Sequence, residues 1–99
     1  MLIDCLQYCQ WSPKIFQQWA DGGVDAVHVT IAYHENFRET VMNIEAWNRW
    51  FEDYPDRIVQ AFTAQDVRDA KAAGKTAVIF GLQNPSPIED DIGLVEVLH

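Results

Sequence analysis

The apolar run Ala77-Val78-Ile79-Phe80-Gly81-Leu82 constrains this chain more than any other segment. Gly74 closes a helical stretch just before it, and a polar, proline-rich segment, Gln83-Asn84-Pro85-Ser86-Pro87, follows. A strand that is apolar along its whole length is buried on both faces, as parallel strands in α/β proteins are. In such folds function sits in the loops at the carboxyl ends of the strands. Gln83 and Asn84 therefore stand where an active-site side chain is expected.

The rest of the chain repeats the pattern of strand then helix, which favours a parallel sheet. Residues 2–8 read as a first buried strand, and Ser12-Pro13 as a helix start with serine capping and proline in the first turn. Ile15, Phe16 and Trp19 share that helix's apolar face, and Asp21-Gly22-Gly23 stops it. Residues 24–31 read as a second strand and residues 38–53 as a long helix. The stripe of that helix is Val41, Ile44, Trp47/Asn48 and Phe51, widened by Trp50. Tyr54-Pro55-Asp56 ends it, and residues 58–62 form a short strand. Thr63-Ala64-Gln65-Asp66 resembles a capping box with aspartate in the fourth place, opening a helix with Val67, Ala70 and Ala73. Asp90 and Asp91 suit the positive start of a last helix, residues 92–99. Leu94, Val95, Val97 and Leu98 are still building an apolar face there, so the chain reads as part of a longer protein.

Composition narrows the function classes. In 99 residues, 48% are apolar and 12% aromatic, enough for one packed domain rather than a disordered chain. A net charge of -8 argues against nucleic acid and anionic membrane as partners, since a polyanion calls for a basic face. Cys5 and Cys9 on one strand face would lie about 13 Å apart, too far for a disulfide. Partly buried free thiols in a reducing, cytoplasmic setting fit best. Neither a secretory leader nor an apolar span of membrane length is expected.

Few residues advertise chemistry. His28 lies mid-strand and reads as a core or layer histidine holding one hydrogen bond. His34, in Tyr33-His34-Glu35-Asn36, reads either as a surface-loop residue or as part of a pocket mouth. Asp4 is either a buried carboxylate with a partner or an exposed acid at the strand start. The four tryptophans fall mostly at helical spacing and read as core. Metal motifs, glycine-rich phosphate loops and a Gly-x-Ser-x-Gly elbow are all absent from the sequence. Cys5 or Cys9 as a nucleophile would need an activating base that the sequence does not show.

Tyr54-Pro55-Asp56, Thr63-Ala64-Gln65-Asp66-Val67, Ala70-Lys71-Ala72-Ala73-Gly74-Lys75-Thr76-Ala77-Val78-Ile79-Phe80-Gly81 and Ile88-Glu89-Asp90-Asp91-Ile92-Gly93-Leu94 together resemble the membrane (renal) dipeptidase family. The resemblance spans the chain, is closest from Tyr54 onward, and matches only about the first third of a member. It implies that residues 1–99 are roughly the first three βα units of a zinc-dependent (β/α)8 TIM barrel akin to the amidohydrolases. It also implies hydrolysis of dipeptides, with two metal ions activating a water. This chain departs from that pattern at the metal site. The family's His-x-Asp falls on Leu6 and Tyr8, with the preceding aspartate on Asp4, and its bridging glutamate falls on Gln83. A neutral amide and a phenol cannot replace an anionic bridge between two dications. Zinc is thus expected from the resemblance while its ligands in this segment are missing. The expected site is Gln83 as the catalytic-position residue, orienting substrate or water, with Gln7, Tyr8, His34 and Asn84 contacting a small-molecule or dipeptide substrate. The competing expectation is a barrel that binds a small amino-acid-like metabolite without cutting it. A third is a self-standing interaction module, whose uncovered apolar helix faces would drive a homo-oligomer.

Overall fold

The computed structural model describes every residue, Met1–His99. Strands and helices alternate: β1 (Ile3–Gln7), α1 (Pro13–Asp21), β2 (Ala26–Ala32), α2 (Phe37–Asp53), β3 (Ile58–Gln60), α3 (Ala64–Ala72) and β4 (Thr76–Leu82). A short 3-10 helix at Ser86–Ile88 and the five-residue α4 (Leu94–Leu98) close the chain. All pairings are parallel, in the order β1-β2-β4-β3. The α/β alternation over a parallel sheet is consistent with part of a (β/α)8 barrel, with β1, β2 and β4 as adjacent strands and β3 and α3 intervening out of spatial order.

Local chemistry explains where the helices begin and end. Asn36 accepts from the Glu39 N–H while the Glu39 carboxylate accepts from the Asn36 N–H, a reciprocal cap at the start of α2. Thr63 and Asp66 make the same exchange at the start of α3, so aspartate does serve in the fourth place. Pro13 opens α1 as expected, but the Ser12 side chain makes no capping bond. Gly23 and Gly74, after α1 and α3, take φ of 70° and 72°, which glycine adopts without steric cost.

Strand register sorts the side chains onto two faces. Ala26 pairs with Ala77 and His28 with Ile79, while Val27 pairs with Val78 and Val29 with Phe80. Successive residues point to opposite faces. The outer face (Val27, Val29, Val78) packs with Phe16 and Trp19 of α1 and Trp47 of α2 in the main core. The inner face (Ala26, Ala77, with Ile79 beside them) packs with Val67 and Ala70 of α3 in a second cluster. So α3 lies on the opposite side of the sheet from α1 and α2. The strand order is the cause. The chain moves outward from β1 through β2 to β3 and then steps back to β4, and a right-handed crossover taken in reverse places its helix on the other face. α3 covers the amino-terminal ends of β2 and β4 and leaves the carboxyl ends open.

Several expectations are corrected. The first strand is shorter than residues 2–8 and mostly exposed, because it is the sheet's edge and its inner side is uncovered. Both cysteines are exposed rather than partly buried, and Cys9 lies beyond the end of β1. Val41 and Asn48 of α2 are exposed, so the buried line of that helix runs through Thr40 and Trp47, with Ile44, Trp50 and Phe51 packed beside it. Asp90 and Asp91 do not begin a helix. Asp91 caps a turn by accepting from Gly93 N–H, and α4 starts only at Leu94. The 3-10 helix and the positive φ of Glu89 at its end use up the residues between.

Candidate functional site

The carboxyl ends of β2 and β4 hold the polar side chains of the inner face. Thr30 is paired with Gly81, and Gln83 follows β4 directly. The Gln83 amide donates from Nε2 to Thr30 Oγ1 at 2.8 Å, tying the two strand ends together. One N–H and the carbonyl oxygen of Gln83 remain for other partners. Thr30 also lines a cleft of about 410 Å³ with Tyr8, Trp11, Glu35, Asn43 and Trp47. Gln83 and Asn84 line a second hollow of about 440 Å³ with Leu82, Ile88 and Val95. The Thr30–Gln83 hydrogen bond thus joins the walls of the two hollows.

Tyr33 organises the loop after β2. Its ring lies 5.5 Å from Tyr8 and 4.1 Å from His34, centroid to centroid, and its carbonyl accepts from the Asn84 amide. Tyr8, His34 and Asn84 therefore meet around one residue at the mouth, with Tyr8 and His34 exposed. Glu35 anchors the same loop by accepting from the Tyr33 N–H at 2.6 Å and the His34 N–H at 3.0 Å. Those backbone donors, Tyr33 first, hold its carboxyl below the usual glutamate range. Asn43 of α2 donates to the Ile31 carbonyl at 2.9 Å and fixes the end of β2 against α2.

Gln7 stands apart from this group. A register shift between Asp4 and Gln7 sets it beside Val29, on the helix-packed side. Its Nε2 donates to Asp4 Oδ2 at 2.9 Å, and its Oε1 is buried without a partner. Asp4 also accepts from the Leu6 N–H at 3.2 Å, so this half-buried acid is engaged within its own strand. Leu6 is exposed. Cys9 is held toward the thiol form by desolvation, which is the opposite of an activated thiolate.

His28 was legible as a layer histidine, and its single hydrogen bond, Nδ1 to the Cys5 carbonyl at 3.1 Å, fits that reading. Its orientation was not legible. The ring reaches from its own level, opposite Ile79, to the level of Gly81, where a β-carbon would lie 2.0 Å from Nε2. The available signal was Gly81 itself, since a glycine inside an apolar strand marks a close approach.

The donor set does not suit a binuclear zinc centre. Leu6 has no donor atom, Tyr8 and Gln83 offer neutral oxygens, and Asp4 is turned to Gln7. No three His, Cys, Asp or Glu side chains converge in a metal-holding group.

The chain matches no protein-family model and no curated protein. It is similar to the crystal structure of an amidohydrolase from Pseudomonas aeruginosa, with 35% sequence identity and a TM-score of 0.92. The match covers 99% of this chain and 30% of that one, so the chain spans about 30% of the length of the structure it resembles. The chain is amidohydrolase-like in sequence and fold. No helix is long and apolar enough to cross a membrane.

Proposed function

We propose that this chain is the first part of a barrel hydrolase that cleaves the amide bond of a dipeptide or similar amino-acid derivative, with a metal site altered from that of the membrane dipeptidases. The observation that carries the reading is the 35% identity to an amidohydrolase across 99% of the chain. The placement of Gln83 supports it. An amide presents one donor and one acceptor, and Gln83 keeps one N–H and one carbonyl oxygen beyond its bond to Thr30, so it can hold a substrate amide on both. Asn84 follows Gln83 in the chain and is tied to the Tyr33 carbonyl, around which Tyr8 and His34 gather. Orientation of the scissile group is the role this geometry supports, since a fixed approach lowers the barrier without a charge on Gln83.

The test is turnover of a dipeptide panel by the intact protein, with and without a chelator, beside metal analysis. Turnover abolished by chelation supports hydrolysis that depends on metal held by other residues. A second reading follows from Leu6, Tyr8 and Gln83 at the three ligand positions: a barrel that binds an amino-acid-like metabolite and leaves it intact. Thermal stabilisation by amino-acid derivatives without turnover of any dipeptide selects that reading. Two zinc equivalents held by side chains of β1 or β4 would overturn the account of an altered site.

A further inference from the structure

We propose that His28 is a ligand-contacting residue of the inner face, presenting an unprotonated Nε2 that accepts a hydrogen bond from an N–H or O–H of the bound molecule, and that Gly81 is glycine to make room for it. The tautomer follows from the partner. A carbonyl oxygen only accepts, so the contact with Cys5 O requires the proton on Nδ1. In the neutral ring, Nε2 then carries the lone pair. Nothing in the chain bonds to Nε2, and it is not among the atoms sealed from solvent without a partner.

Position makes this lone pair a site group rather than a packing detail. His28 shares its strand face with Thr30, which holds Gln83. Its ring rises to the level where Gly81 pairs with Thr30, so imidazole, hydroxyl and amide form one polar strip across β2 and β4. The helix on this face stops short of the strip's upper part: its cluster takes in Ala26 and Ala77 at the amino ends of the strands and reaches Ile79, the partner of His28, but not Thr30 or Gly81. The strip offers an acceptor at Nε2 and a donor and an acceptor at Gln83, which suits a molecule carrying an amide together with an amine or hydroxyl. The ligand class rests on the amide-hydrolase reading, whereas the orientation of His28 does not.

Two measurements on the intact protein separate the two. The first is turnover of the dipeptide panel by wild type and H28F, with a melting curve for each. The expected result is a cooperative melt for both and kcat/KM lower in H28F by about tenfold, mainly through KM, as for one lost hydrogen bond. Equal kcat/KM in the two proteins overturns the role of His28 and leaves the hydrolase reading intact. The second is carbethoxylation by diethyl pyrocarbonate, mapped by mass spectrometry, with exposed His34 as internal reference. It requires neither turnover nor a folded variant. Modification of His28 at a rate comparable to His34 supports the proposal even if no dipeptide is cleaved, in which case only the hydrolase reading fails. An unmodified His28 beside a modified His34 means a sealed Nε2 and overturns it.

Discussion

The imidazole of His28 fills the space that a β-carbon on Gly81 would need: Nε2 would lie 2.0 Å and Cε1 2.1 Å from that carbon. The ring reaches this place from a neighbouring strand while its other nitrogen is held by β1. Three strands are thus locked across the inner face by one side chain and one absent one.

G81A in the wild-type background should therefore destabilise by about 1–3 kcal/mol, the usual cost of overpacking. In an H28A background the same substitution should cost much less, because the obstructing ring is gone. Urea denaturation of the four proteins measures the coupling. Additive effects would mean that the ring and the glycine are not in contact.

Q83A removes the hydrogen-bond partner of the Thr30 hydroxyl, on a residue only 3% exposed. A buried polar group left without its bond costs about 1–3 kcal/mol. T30V combined with Q83A should cost less than the sum of the single changes, since no unpartnered group remains. Thermal melts of the three variants decide this, and Q83A should also lose dipeptide turnover.

T63A breaks the cap of α3 and should cost about 1 kcal/mol, read from urea unfolding. Asp66 adds a pH signature. The N–H groups of Phe62 and then Thr63 hold its carboxyl below the usual aspartate range in the folded chain. Its stabilisation is therefore complete above the ordinary aspartate value and is lost as pH falls through the lowered folded value. D66N should flatten that part of the acid limb in a stability-against-pH series.

Asp25 gives a second acid-sensitive contact, between elements far apart in sequence. Its Oδ2 accepts from Lys71 Nζ at 2.9 Å and from the Leu2 N–H at 2.7 Å, joining the residues just before β1 and β2 to α3. The Lys71 hydrogen bond is the foremost cause of its lowered pKa. The sign matches that of Asp66: the contribution is present above the ordinary aspartate range and fades below it. K71A should also weaken the salt dependence of stability near neutral pH, because an exposed pair is screened by ions. Melts at low and high salt test this.

W47A should be the most destabilising of these changes, at about 3–5 kcal/mol. Trp47 is 2% exposed and its ring lies within 6.0 Å of Trp11, Phe16, Trp50, Phe51 and Phe80. A loss of less than 1 kcal/mol by urea denaturation would contradict that packing.

What the sequence disclosed was local. The Thr63–Asp66 cap, the helix stops at Gly23 and Gly74, and the parallel strand at 76–82, buried only over Thr76–Val78 and exposed at Leu82, all depend on neighbours a few residues away. Features that depend on strand order stayed hidden. The exposure of Ile3 and Leu6 follows from β1 being the edge of the sheet. The placement of α3 on the inner face follows from the return from β3 to β4, which no periodicity encodes. The site divides the same way. Gln83 and Asn84 could be placed by the strand that precedes them. Thr30, and the direction of the His28 ring, needed the register between β2 and β4.

β3 pairs only with Thr76, Ala77 and Val78 of β4. From Ile79 onward, that flank of β4 has no strand of this chain beside it. A newcomer must enter three rungs nearer the mouth, as if β3 were a doorstop at the foot of the frame. Closing sheets acquire their tilt through such stagger between neighbours. The shortest strand in the chain thus sets the pitch at which a ring could close.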